Sequence, residues 1–138
     1  MHFEEVAWVE ERLLEALAEN VPSSPLRPLH VTAREDDGTL AGAIVGAMSY
    51  GWLHIAMLWV SERSRGRGIG AHLMHIAERE ALDCGCHGAW LDTSSERARG
   101  FYARLGYEVF GRLANAGPDQ PAGHARHFMS KRLSRPRP

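Results

Sequence analysis

The stretch of this chain with the most chemical potential is Val60-Ser61-Glu62-Arg63-Ser64-Arg65-Gly66-Arg67-Gly68-Ile69-Gly70-Ala71. Glycines at alternate positions strip side chains from one edge of a turn, so successive backbone N–H groups can converge on an anion. Helical spacing begins immediately afterwards, which sets the positive end of a helix dipole at the same place. Arg65 and Arg67 add charge suited to phosphate. The pattern predicts a binding loop for a phosphate-bearing cofactor; a basic surface turn is the plainer alternative.

Metal chemistry is not expected. Cys84 and Cys86, the only cysteines, stand one residue apart, too close for an ordinary disulfide framework and one pair short of a structural zinc site. His72 and His75 share a helix face, but their spacing to the cysteines matches no familiar ligand pattern.

The elements that must hold the loop follow from periodicity. Residues 4–20 place Val6, Val9, Leu13 and Leu17 at helical spacing among glutamates, an amphipathic helix ended by Asn20 and Pro22. A proline-rich connection precedes two strands, 29–34 and 40–50, joined through the hairpin signal Asp37-Gly38. Gly42 and Gly46 mark close packing in the second. Trp52 to Val60 is apolar at nearly every position, which predicts a central strand covered on both faces. The loop's helix runs to about Cys84, with Gly85 as its cap. A strand at 88–92, a helix at 96–105 capped by Ser94 or Ser95, and strands at 107–113 and 124–133 complete the order. The class is α/β, in the α+β sense: a mixed, mostly antiparallel sheet flanked by helices.

At 138 residues and 44% hydrophobic, the chain suits one domain, residues 1–133, with a flexible tail at 134–138. A net charge of −1 supplies no field for nucleic acid or an anionic membrane. Its first residues lack a basic end followed by an apolar run, so the expected compartment is the cytoplasm.

Among phosphate-binding loops, the Walker type is excluded, because no Gly-Lys-Ser/Thr follows the glycines. Gly66, Gly68 and Ala71 satisfy the Gly-x-Gly-x-x-Ala form of dinucleotide sites, with Asp92 downstream. Their context is wrong, because three strands precede the motif and Ser61 to Arg65 intervene before the first glycine.

Two motifs in order resemble the GNAT N-acetyltransferase superfamily over nearly the whole chain. Arg65-x-x-Gly68-x-Gly70, after the strand ending Leu58-Trp59-Val60, is similar to that family's pyrophosphate loop. Phe101-Tyr102-Ala103-Arg104-Leu105-Gly106-Tyr107 is similar to its second signature. The resemblance implies a sheet splayed at the cofactor site and acetyl-CoA (coenzyme A) as co-substrate. It implies direct attack by an amine, from a small molecule or a protein, in a ternary complex.

By the same resemblance, backbone groups of Leu58, Trp59 and Val60 bind the pantetheine arm. Arg65, Gly66, Arg67, Gly68, Ile69, Gly70 and Ala71 bind the pyrophosphate. Tyr102 contacts the cofactor and acts as general acid for the departing thiolate. Ser95 stands where many members have Asn. His54 is the candidate base, since histidine titrates near neutrality. The chain has one helix where the family usually has two to shape the acceptor pocket. The acceptor side is therefore open or completed by a homodimer, with His124, His127, Trp8 and Trp52 as candidate lining. The competing reading is a non-catalytic acyl-CoA sensor on the same fold.

Overall fold

The computed structural model describes residues 2–135; the rest of the expected tail, 136–138, lies outside them. The order is α1 (Phe3–Asn20), β1 (Arg27–Arg34), β2 (Leu40–Ser49), β3 (Trp52–Val60), α2 (Ile69–Asp83), β4 (Gly88–Thr93), α3 (Glu96–Arg104), β5 (Glu108–Ala114) and β6 (Ala125–Arg132). The strands form one six-stranded sheet in the order β1-β2-β3-β4-β6-β5. Only β3 and β4 pair in parallel, joined by α2 as the crossover that such pairing demands.

The core lies between α2 and one face of the sheet. Ile44, Leu53, Leu73, Met74, Leu91 and Met129 are at most 1% exposed. Each such side chain contributes about 1.5–3 kcal/mol by leaving water. Close approach explains the two glycines of β2: a Cβ at Gly42 would stand 2.8 Å from the Trp59 carbonyl oxygen, and one at Gly46 would meet that of His54.

One expectation fails on the opposite face. Strand β3 is central but not doubly covered, since Met57 is 61% and Trp59 48% exposed. Strand alternation sends Leu53 and Ile55 to α2. The extra residue Ala56, unmatched opposite β2, shifts the alternation so that Leu58 faces α2 while Met57 and Trp59 turn to the other face. Helix α1, with no buried residue, does not close that face.

Candidate active site

The parallel pairing of β3 and β4 stops early. Register pairs run Trp52↔Gly88, Leu53↔Ala89 and His54↔Trp90, and none follows. Strand β3 stays paired with β2 as far as Val60↔Gly42, and β4 with β6 as far as Thr93↔His127. The two strands therefore part beyond His54, and the backbone edge of Ile55–Val60 that faces β4 has no partner strand. A bulge adds to the divergence: Val45 lies opposite Met57 and Gly46 opposite Ile55, leaving Ala56 unmatched, and such bulges bend a strand. Leu58, Trp59 and Val60 lie on the unpaired edge that begins after His54.

The glycine stretch leaves the end of β3 through a single turn of 3-10 helix, Glu62–Ser64, and enters α2 at Ile69. Gly66 and Gly68 take φ of +80° and +76°, a left-handed conformation that costs other L residues about 1–2 kcal/mol. A Cβ at either would meet nothing within 4 Å, so the cradle they line is open space. Gly70 differs, since a Cβ there would stand 3.4 Å from the Phe101 ring, in ordinary contact with α3. Arg65 Nε donates to the Val60 carbonyl at 3.3 Å.

A brace on this loop escapes the sequence reading. Glu35, in the β1–β2 turn, accepts from Ser64 Oγ at 2.5 Å and pairs with Arg67. Ser64 is fully buried and also accepts from Ser61 Oγ at 2.7 Å. The Ser64 hydroxyl first, and then Arg67, hold the Glu35 carboxyl below its ordinary range. In the same turn Asp37 accepts from Thr39 and from Arg63, at 3.0 Å, and its pKa falls to about 2. An acidic turn and a basic loop of opposite sign were the available signal, and only the fold brings them together.

Tyr102 packs against the core cluster, with the Tyr107 ring edge-on at 6.0 Å. Burial pushes its phenol above the usual value of 10, so it keeps its proton at neutral pH. Ser95 Oγ accepts from Ala98 N at 3.1 Å and caps α3.

His54 stands on the opposite face of the sheet and stacks on Trp90, ring centroids 4.0 Å apart and planes 20° from parallel. Trp90 also lines a cleft of about 720 Å³ with Trp52, Phe110, Phe128, Tyr50 and Ser130. Gly88 makes room for the Trp52 ring, which a Cβ would strike. Tyr102 and His54 thus sit on opposite faces of a sheet that opens at His54.

The proposed acceptor lining divides. Trp52 lines the cleft. His127 is buried beside Met129, and His124 Nε2 lies 3.0 Å from Ser94 Oγ. Trp8 stands apart on α1, 60% exposed beneath Arg12, because α1 does not reach the sheet.

A second network also escapes the sequence reading. Tyr107 Oη donates to Glu78 Oε2 at 2.9 Å and Lys131 Nζ to Glu78 Oε1 at 2.7 Å, tying α2 to β6. Burial, followed by the Glu78 charge, drives the Tyr107 phenol far upward. The partners are 29 and 53 residues apart, beyond any local pattern.

The sequence model of the acetyltransferase (GNAT) family matches residues 2–107. Blasticidin-S acetyltransferase of Streptomyces morookaense is 40% identical over 116 residues, which span 81% of this chain and 82% of that relative. Acetyltransferase Atu2258 of Agrobacterium fabrum is 41% identical over 110 residues, 80% of this chain and 77% of its own. The crystal structure of an acetyltransferase from Bacillus cereus superposes with a TM-score of 0.85 at 29% identity, covering 96% of this chain and 94% of that one. The chain belongs to the GNAT family and is an acetyltransferase. Among the described residues no helix is long and apolar enough to cross a membrane, and no cluster of three or more His, Cys, Asp or Glu is placed to hold a metal.

Proposed function

We propose that this acetyltransferase moves the acetyl group of acetyl-CoA to a primary amine of a small molecule by direct attack in a ternary complex. The observation that carries the reading is the opening between β3 and β4, which ends at the glycine loop and has Tyr102 on one face and His54 on the other. Acetyl-CoA supplies an activated acyl carbon and a thiolate leaving group. The open cradle at Gly66 and Gly68 fits a pyrophosphate, with Arg65, Arg67, Ile69, Gly70 and Ala71 around it. The unpartnered edge of Leu58, Trp59 and Val60 fits the amides of an extended pantetheine arm. Ser95, at the start of α3, belongs to the same side of the site.

An N–H near Leu58 polarises the thioester oxygen, where charge accumulates. His54 takes the proton that the amine must lose, and Tyr102 returns one to the departing sulfur. As the C–N bond forms the C–S bond breaks, and the products are an amide and free CoA. The protein acts in the cytoplasm as one domain, residues 1–133, and as a homodimer.

A relative named for blasticidin S makes antibiotic amines the first acceptors to try. The test is a panel of such amines, scored by free thiol release and by a product mass increased by one acetyl group. Both signals from one amine support the reading. Thiol release without an acetylated product, or neither signal across the panel, contradicts it.

A further inference from the structure

Helix α1 carries a stripe of Phe3, Val6, Val9, Leu13 and Leu17, all exposed, from 44% at Leu17 to 93% at Phe3. A lone helix of this length is marginal in water, and an apolar stripe is ordinarily what holds it to a protein. A second bare surface exists in the same chain. It is the sheet face opposite α2, which runs from Val45, Met57 and Trp59 to the aromatic cleft at Trp52, Trp90 and Phe110.

We propose that α1 of one copy lies across the open sheet face of a second copy, reciprocally, so that the two chains form a dimer by exchanging their first helices. This rests on the homodimer of the proposed function and specifies how it is built.

Size agrees. Eighteen residues make a helix about 27 Å long. Six strands at about 4.8 Å spacing make a face about 24 Å from edge strand to edge strand. If each helix hides about 500 Å² and the sheet beneath it as much, two exchanges remove about 2,000 Å², at the level of stable interfaces.

Charge agrees as well. With six glutamates and one arginine, α1 carries −5; the whole chain is −1, so the remainder carries +4. Arg132, and Arg126 beside its ion-pair partner Asp92 at 3.4 Å, stand on β6 with the same alternation as Phe128 and Ser130, on the face that α1 would cover.

The connection favours exchange over folding back. Val21 to Leu26 contains Pro22 and Pro25, whose φ angles are fixed, and Pro28 follows inside β1. Ser24 Oγ accepts the Tyr50 N–H at 2.7 Å, which pins this linker to the β2–β3 turn. With the linker so held, α1 of a single chain stands off its own sheet, and a short restrained hinge is a common route to swapped dimers.

The test is light scattering on the full chain and two variants. The intact chain should have twice the 15.3 kDa chain mass. Val9→Asp/Leu13→Asp on the helix and Phe110→Asp on the sheet should each give the monomer mass, with far-UV circular dichroism losing no more than the helical signal of α1, because all three residues are exposed and lie outside the core. Mixing the two variants should restore a dimer, because one helix and one sheet remain intact. A monomeric intact chain overturns both the exchange and the homodimer. A dimer that persists in either variant overturns the exchange alone, as does failure of the mixture to associate.

Discussion

His54 and Trp90 face each other as the last register pair between β3 and β4, and their rings stack at 4.0 Å where the two strands part. The stack fixes one imidazole face against the indole and holds the ring at the mouth of the opening. An amine entering the opening between the two strands meets His54 there.

His54→Gln removes the proton acceptor while keeping a polar group of similar reach. Rate at saturating acetyl-CoA should fall about 100-fold, as expected for loss of a general base. Acetyl-CoA affinity should not change. A variant with an unchanged rate removes His54 from the reaction.

Tyr102→Phe should keep acetyl-CoA affinity and lower the rate about 10- to 100-fold. Because burial raises the phenol pKa, activity lost through Tyr102 ionisation should set in at a higher pH than a free phenol would give. The linkage has a matching sign. The fold disfavours the phenolate, so this contribution to stability is complete below the ordinary pKa and is lost as pH climbs from there to the folded value. Rates measured from neutral pH into the alkaline range follow this limb of the activity.

Much of this site was legible in the sequence for physical reasons. The turn residues at Asp37-Gly38 marked β1 and β2, the apolar run from Trp52 to Val60 marked β3, and Gly66 and Gly68 do need a conformation that only glycine adopts cheaply. Contacts without local periodicity were not legible. Glu35 meets Arg67 across 32 residues, and Glu78 meets Lys131 across 53. The stripe on α1 was visible, but a stripe does not name its partner, and Trp8 was placed near an acceptor pocket that α1 does not approach.

Glu35→Gln should loosen the binding loop, because it weakens the contacts with both Ser64 and Arg67. Acetyl-CoA affinity should fall about 5- to 10-fold, roughly 1–1.4 kcal/mol by the usual relation. The Glu35 pKa is lowered, so its bracing is present above the ordinary carboxylate value and is lost as pH falls through the folded value. Wild-type affinity should therefore decline in acid, and the Glu35→Gln variant should show less of that decline. Titration calorimetry at pH 7 and at a pH well below the ordinary carboxylate range measures both effects.

Lys131→Ala leaves the Glu78 carboxylate, whose side chain is 9% exposed, without its cation. A half-broken buried pair is costly, and the Lys131 side chain is itself 23% exposed, so a loss of about 2–3 kcal/mol is expected. Tm should drop by about 5–10 °C. Lys131→Ala combined with Glu78→Gln should recover part of the loss, since no uncompensated charge remains. Thermal unfolding of both variants decides whether this network is structural.

The central claim is that the glycine loop and the β3 edge hold acetyl-CoA. Calorimetric titration of the intact protein and of Gly68→Val with acetyl-CoA tests it most directly. A side chain at φ +76° is strained and projects into the open cradle. The account expects one saturable site in the intact protein and at least a 100-fold weaker one in Gly68→Val, with both proteins folded by circular dichroism. No binding by the intact protein, or equal affinity in the two, would contradict it.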